Sequence, residues 1–412
     1  MQENSKRAPT GHLRLLSSIA IALVCVTAAY YSLRFGYAEY LFRSDRPESI
    51  ARAATLSPLD ADYQTRLGRL DHAVRLNPYL SAAWIELGTR AEAAGDFTRA
   101  EAELREAARV DRTFDPRWTL ANYYFRRQNW DEFWKWIRAS ADMSYGDRSA
   151  LFGLCWRATS DPETILARAI PADRGVLASY VSYLAHSEHF GAAPAAAYRW
   201  LPIAAKEDLP ALLELCDVLL EKLPNTPDAM RIWNALIERG WLPYRRLDPE
   251  AGVSVTNEAF RISPLAHGFD WRLPLAPGVR VVWNASPPGL GITLDGHQEE
   301  RTDMLAEWIP VLAASAYQLS TRASAEEIAA GSGLRCRIVD PVSGAVLAES
   351  EINVPVAKLR FETLPHGALV KLVLGYRRAP GTNLIAGRFT LSSLALERLG
   401  GQHRSDDKHP NR

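Results

Sequence analysis

The chain has 412 residues, more than one ordinary hydrophobic core serves, so two domains of conventional size are expected. Its composition is globular, 47% hydrophobic and 23% charged, with Lys+Arg and Asp+Glu both at 48. Zero net charge argues against a dedicated nucleic-acid binder, whose phosphate contacts demand a basic excess or stripe. The cysteines at 25, 155, 216 and 336 form no CxxC. A Cys155–Cys216 disulfide is one reading for an oxidising compartment, and buried free thiols are the other.

After an N-terminal tail (1–14), residues 15–33 (LLSSIAIALVCVTAAYYSL) hold no charge, Pro or Gly over 19 positions. As a helix this run spans roughly 28 Å, close to the hydrocarbon thickness of a bilayer. Lys6, Arg7 and Arg14 precede it, and Tyr30, Tyr31, Phe35, Tyr37 and Tyr40 crowd its far end like an interfacial aromatic belt. A transmembrane helix is therefore expected. The alternatives are a signal peptide cleaved after Thr27-Ala28-Ala29 and a buried soluble helix. The length of the uncharged run and the lack of a polar face favour the membrane span. Arg34, Arg43 and Arg46 nearly balance the basic residues before the run. The shortness of the tail then favours an inside N-terminus, with the bulk of the chain extracytoplasmic.

A helical pattern occupies 47–245, and within it a period near 34 links Trp84 to Trp118, Asn77-Pro78 to Asp111-Arg112, and Leu70 and Ala73 to Leu104 and Ala107. Paired helices approach closely only over small side chains, which fits Gly88, Ala100 and Ala107 between the bulkier Trp84, Leu87 and Leu104. Gly95-Asp96 reads as the turn, where positive φ is wanted. With Trp84, Leu87, Gly88, Gly95, Ala100, Leu104 and Ala107 in register, residues 81–114 resemble a tetratricopeptide repeat. A shortened repeat is expected before it, at about 57–80. A divergent one follows at 115–148, with Asn129 in place of the turn glycine and Phe133 or Trp134 at the small Ala position. The resemblance implies an α-solenoid that recognises a protein through its concave face.

From 149 to 243 the pattern stays helical, as in Val176–Ala185, Pro210–Leu223 and Asp228–Arg239, with Asp161-Pro162 and Asn225-Thr226-Pro227 as helix starts. These read as degenerate hairpins continuing the solenoid. The aromatic cluster around Tyr123, Tyr124, Trp130 and Trp134 has two readings. It is either an aromatic groove for the partner, or bulk filling the gap where small residues are missing.

At about Gly252 the periodicity changes to two. Val279, Val281 and Trp283 alternate, as do Leu334, Cys336 and Ile338, then Val370, Leu372, Leu374 and Tyr376. Phe389, Leu391, Leu394 and Leu396 continue with a slip at Ser392-Ser393. Turns fall at Pro287-Pro288-Gly289, Pro341–Gly344 and Pro380-Gly381, so 252–399 is expected to be an antiparallel β-sandwich. From Asn257-Glu258-Ala259-Phe260, through Gly268-Phe269-Asp270-Trp271, to Gly387–Glu397, it resembles the jelly-roll, galactose-binding-like fold of carbohydrate-binding modules. That resemblance implies glycan binding, with Trp271, Trp283, Trp308 and Tyr317 as stacking platforms, against the competing reading that they are core. Arg261 and Ser392-Ser393 stand where related modules carry acidic residues, so no calcium is expected. The polar tail 400–412 is expected to be disordered.

No GxSxG elbow, Walker loop, GxGxxG or HExxH occurs. His186-Ser187-Glu188-His189 reads as a solvated turn rather than a zinc site, and Glu299-Glu300 and Glu326-Glu327 as solvated pairs. The expectation is a non-enzymatic protein without metal or cofactor: a transmembrane helix, a tetratricopeptide-like α-solenoid, then a jelly-roll sandwich. It would be a single-pass bacterial inner-membrane scaffold that recruits a protein through 47–245, placed in cell-envelope or exopolysaccharide assembly or export. The alternative is a polysaccharide-binding protein acting through the sandwich.

Overall fold

A computed structural model describes residues 10–400 apart from 330 and 353, with side chains from Leu15 onward. The tail expected at 400–412 lies outside the described residues beyond Gly400, as do residues 1–9, while Thr10–Arg14 is already helical. The N-terminal half is helical and the C-terminal half carries two antiparallel sheets. By its contacts the chain divides into two compact units at Pro171/Ala172.

The first unit contains α1 (Thr10–Arg43), α2 (Pro47–Leu56), α3 (Ala61–Arg66), α4 (Leu70–Leu76), α5 (Ser81–Ala93), α6 (Phe97–Val110), α7 (Phe114–Arg126), α8 (Trp130–Met143), α9 (Ser149–Ala158) and α10 (Pro162–Arg168). Along α1, Leu15, Leu16, Ile19, Leu23, Val24 and Val26 are all more than half exposed. Among the described residues it is the one helix long and apolar enough to cross a membrane, and a signal sequence would pass the same test. Past Leu33 the helix gains protein neighbours. Ala38 and Leu41 are buried against Ala53, Ala54 and Tyr63, and Arg34 Nε donates to the Leu56 carbonyl at 2.7 Å. One unbroken helix thus links the apolar run to the helices after it.

Helices α3 to α8 pair in chain order, α3 with α4, α5 with α6 and α7 with α8. In the α5–α6 pair a Cβ on Gly88 would lie 2.6 Å from Leu104 Cγ and 3.1 Å from the Ala100 carbonyl oxygen, so only glycine permits this approach. Gly95 turns the chain at φ +80°, and the Asp96 carboxylate caps α6 by accepting from Arg99 N. One pair later those places belong to Gln128, at φ +55°, and Asn129, which accepts from Glu132 N. The residue at the turn-glycine position is therefore Gln128, and Asn129 is the cap. Helix starts recur every 33 residues here (Ser81 to Phe114, Phe97 to Trp130), so Trp84 and Trp118 are not equivalent. Trp84 packs on the Leu70–Ala73 cluster, whereas Trp118 stacks on Phe114. The interval of 34 does hold at the pair ends. There the Asn77 carboxamide oxygen accepts from Tyr79 N as the Asp111 carboxylate accepts from Thr113 N. Buried Phe133 stands at the Ala100 position. In the shortened pair α3 has six residues, because Leu67 ends it and Gly68 turns at φ +73°.

The second unit contains α11 (Arg174–His186), α12 (Ala193–Trp200), α13 (Leu209–Glu221) and α14 (Thr226–Glu238), then the strands. Those are β1 (Val279–Ala285), β2 (Pro288–Asp295), β3 (Arg301–Pro310), β4 (Ala316–Glu326), β5 (Leu334–Val339), β6 (Val346–Glu351), β7 (Val356–Glu362), β8 (Leu369–Arg377) and β9 (Ala386–Arg398). Among the described residues one sheet runs β1-β2-β9-β4-β7 and the other β3-β8-β5-β6. The alternating residues named above line a common core with Phe260, Trp271 and Phe389. The slip at Ser392-Ser393 is a bulge: Arg322 pairs with Ser393 and Ala323 with Leu391, leaving Ser392 unpaired.

Helices and sheets of this unit are joined through Gly268-Phe269-Asp270-Trp271. A Cβ on Gly268, at φ +58°, would strike the Trp233 ring. Phe269 meets the same ring edge-on at 5.9 Å, Asp270 Oδ2 accepts from the Tyr244 hydroxyl at 2.7 Å, and Trp271 packs on Phe260. The Asp217 carboxylate on α13 receives His267 Nδ1 at 2.6 Å, Gly268 N at 2.7 Å and the Arg272 guanidinium. These contacts tie α13 and α14 to the sandwich.

Two carboxyl groups are fully buried beside this junction. Asp270 Oδ1 and Glu307 Oε2 have no hydrogen-bond partner, while Glu307 Oε1 accepts from Thr256 N at 3.2 Å. Burial, reinforced by the charge of Asp270, holds the Glu307 carboxyl well above its ordinary 4.5. The protonated form therefore stabilises the fold fully below that ordinary value, and the contribution is lost as pH rises towards the folded-state pKa. Glu307→Gln keeps the shape without the charge. Its gain in melting temperature over the parent should be larger at pH 8 than at pH 4, read by near-ultraviolet circular dichroism. An equal gain at both pH values would contradict the buried-charge explanation.

Candidate functional site

A groove of about 540 Å³ on the first unit lies where the start of α6 meets the end of α7. Phe97, Thr98, Glu101, Ala102 and Arg105 recur at helical spacing along one face of α6; Tyr123, Tyr124 and Arg127 close the opposite wall, with Asn129 at the rim. Its polar groups fall into two groupings, one around Glu101 and one around Phe97. The Tyr124 hydroxyl donates to Glu101 Oε1 at 2.8 Å, and Arg105 Nε donates to the same oxygen at 2.9 Å. Arg105 reaches on to Glu132 at 3.2 Å, and the Tyr123 hydroxyl donates to the Phe97 carbonyl at 3.0 Å. Arg127 lies over the Phe97 ring, 3.7 Å from its centroid.

The electrostatics follow from that wiring. The hydrogen bond from Tyr124, aided by Arg105, holds the Glu101 carboxyl below its ordinary range. Burial first, then the bond to Glu101, pushes the Tyr124 phenol well up. At neutral pH the groove thus presents a fixed carboxylate, neutral hydroxyls and the two guanidinium groups of Arg105 and Arg127. Arg105 is shared between Glu101 and Glu132, while Arg127 lies over the Phe97 ring, all above a part-apolar floor.

The four residues expected to bind the partner separate in space. Tyr123 and Tyr124 line the groove, although both are buried apart from the surface they give to it. Trp130 is 40% exposed and meets Phe125 and Phe133 edge-on, while Trp134 is buried between Phe133 and Arg168. The sequence reading missed Phe97, Thr98, Glu101, Arg105 and Arg127. The available signal was the run of polar residues three and four apart on α6, facing α7.

In the sandwich Trp271 is fully buried, and Trp308 is 6% exposed with the Lys371 ammonium 5.1 Å from its ring. Tyr317 is buried against Phe361. A buried indole offers no face to a sugar. Trp283 is half-buried, its ring N–H donating to the Phe260 carbonyl at 2.7 Å. His186 ends α11, with Nε2 3.1 Å from Glu214, and among the described residues no group of three or more His, Cys, Asp or Glu is arranged for a metal. All four cysteines are free, and burial pushes the Cys155 and Cys336 thiols up to about 12.

No family model matches this chain, and no curated protein matches it. Among solved structures it is similar to a chain from a study of CBM4 structure and function. The identity is 12% and the TM-score 0.26, over 35% of this chain and 100% of that one. It is also similar to a chain from the crystal structure of accessory secretory proteins 1, 2 and 3 in Streptococcus pneumoniae. There the identity is 12% and the TM-score 0.21, over 30% and 87% of the two chains. Likenesses this distant carry no functional argument.

The groove network gives a direct test. Tyr124→Phe removes one donor to Glu101. It should raise the Glu101 pKa back towards the ordinary range, read by carboxyl NMR, and cost about 1 kcal/mol of stability. Unchanged titration of Glu101 would contradict the assigned network.

Proposed function

We propose that this chain is a membrane-anchored scaffold that binds an extended segment of a partner protein in the α6–α7 groove. The observation carrying this reading is that the groove recurs. A smaller cleft of about 280 Å³ at the previous pair is lined by Arg90, Ala91, Ala94 and Asp96, each 33 residues before Tyr123, Tyr124, Arg127 and Asn129. Equivalent grooves on successive helix pairs are what a stack of tetratricopeptide-like repeats offers an extended peptide. The recurring caps and turns, and the glycine-mediated approach within α5–α6, support the repeat reading. α1 supplies the tether, in a single-pass inner-membrane protein whose bulk is extracytoplasmic.

In the sandwich, most connections cross between the two sheets, which supports a jelly roll. A place in cell-envelope or exopolysaccharide assembly or export rests on the sequence resemblance of this domain to carbohydrate-binding modules. The chain acts by binding rather than by catalysis. In support, the thiols of α9, α13 and β5 are buried, and the one carboxylate lining the groove, Glu101, is bonded to Tyr124 and Arg105.

A photoreactive amino acid at Thr98 in the full-length, membrane-bound protein should crosslink one discrete partner in cells. The same residue at exposed Tyr145 should not, and Ala102→Trp, which fills the groove, should abolish the product. Equal crosslinking from both positions, or persistence of the product in Ala102→Trp, would overturn the assignment.

A further inference from the structure

A second cleft, of about 470 Å³, lies where α1 leaves the apolar run, between that helix and the segment joining α2 to α3. Tyr31, Phe35, Leu59 and Tyr63 give it an apolar wall, and Arg34 and Asp60 are its charged groups. Arg34 directly follows the last residue of the 19-residue run, at the depth where lipid headgroups meet protein. Its Nε is committed to the Leu56 carbonyl, which holds the guanidinium across the cleft with its terminal nitrogens turned to the open space. Asp60 uses Oδ1 to cap α3, accepting from Asp62 N at 3.0 Å and Tyr63 N at 3.2 Å. That leaves Oδ2 open, and among the described residues neither charge is ion-paired. Leu59 is 78% exposed and Phe35 53% exposed, a large apolar surface for a soluble loop, and it adjoins the exposed face of the span.

We propose that this cleft holds one phosphatidylethanolamine molecule. Its phosphate accepts from the Arg34 terminal nitrogens, its primary ammonium donates to Asp60 Oδ2, and an acyl chain lies along Phe35 and Leu59. One fixed cation and one fixed anion in a single cleft match a zwitterionic headgroup, whereas phosphatidylglycerol would leave Asp60 facing an anion. Phosphatidylcholine brings a quaternary ammonium, which has no hydrogen to donate. This inference rests on α1 being a membrane span.

The test is native mass spectrometry of the full-length protein released from nanodiscs of equimolar phosphatidylethanolamine, phosphatidylglycerol and phosphatidylcholine. One phosphatidylethanolamine should be retained per chain, at least tenfold over the other two. Arg34→Gln and, separately, Leu59→Asp should each lower retention at least fivefold. The second variant guards against a local loosening of α1, because Leu59 is exposed and makes no core contact. Asp60→Asn should reduce the preference over phosphatidylcholine. Equal retention of the three lipids, full retention in Leu59→Asp, or displacement by millimolar inorganic phosphate would overturn the proposal. Alkaline carbonate extraction of the chain from vesicles would instead sink the membrane reading beneath it.

Discussion

The α5–α6 pair depends on a missing side chain. At Gly88 the helices come close enough for Leu104 to fill the space a Cβ would occupy, with Ala83, Ala100 and Ala107 fully buried around it. Burying a leucine side chain contributes roughly 1.5–3 kcal/mol, but only where the facing helix leaves room for it. That close contact fixes the direction in which α6 leaves the turn at Gly95-Asp96. It thereby decides which α6 residues meet α7, and so where Glu101 and Arg105 stand. The groove is a consequence of helix packing, and its hydrogen-bond network is built on walls that packing has already placed.

The next pair solves the same problem with different residues. Ala121 stands for Gly88 and Phe133 for Ala100, both fully buried, so bulk is added on both facing helices, most of it at Phe133. Phe133 then draws Phe125, Trp130 and Trp134 around itself, and the aromatic cluster is accounted for as packing around a lost alanine. Tyr123 and Tyr124 differ from that cluster because their hydroxyls reach polar partners across the groove.

Much of this was legible in residue order. The apolar run, the small residues of the α5–α6 pair, the alternation of the strands and even the Ser392 bulge follow from local rules of size and period. The errors came from positions where a type substitutes unexpectedly. Gln128 takes a left-handed conformation usually given to glycine, which displaced the alignment of the third pair by one residue and made Trp118 look equivalent to Trp84. The groove was half legible, because its tyrosines stood out among aromatics whereas Glu101 and Arg105 resembled an ordinary solvated face. The junction was not legible. Gly268-Phe269-Asp270-Trp271 reads as part of the sandwich, yet its residues divide between Trp233 and Tyr244 on the helical side and Phe260 in the sandwich, a pairing only the tertiary fold creates. The same holds for Glu307, which sits on the inward face of β3 opposite Leu372, where the strand pattern calls for an apolar residue.

The claim on which the groove rests is that Leu104 occupies the space vacated at Gly88. A double-mutant cycle of Gly88→Val and Leu104→Ala, followed by denaturant unfolding, tests it directly. Each single change should destabilise the protein, one by overfilling and the other by leaving a cavity. The pair should recover about 1–2 kcal/mol relative to their sum, because the new methyls enter the vacated volume. Strict additivity would show that the two positions do not share that space, and would contradict this account of how the helices meet.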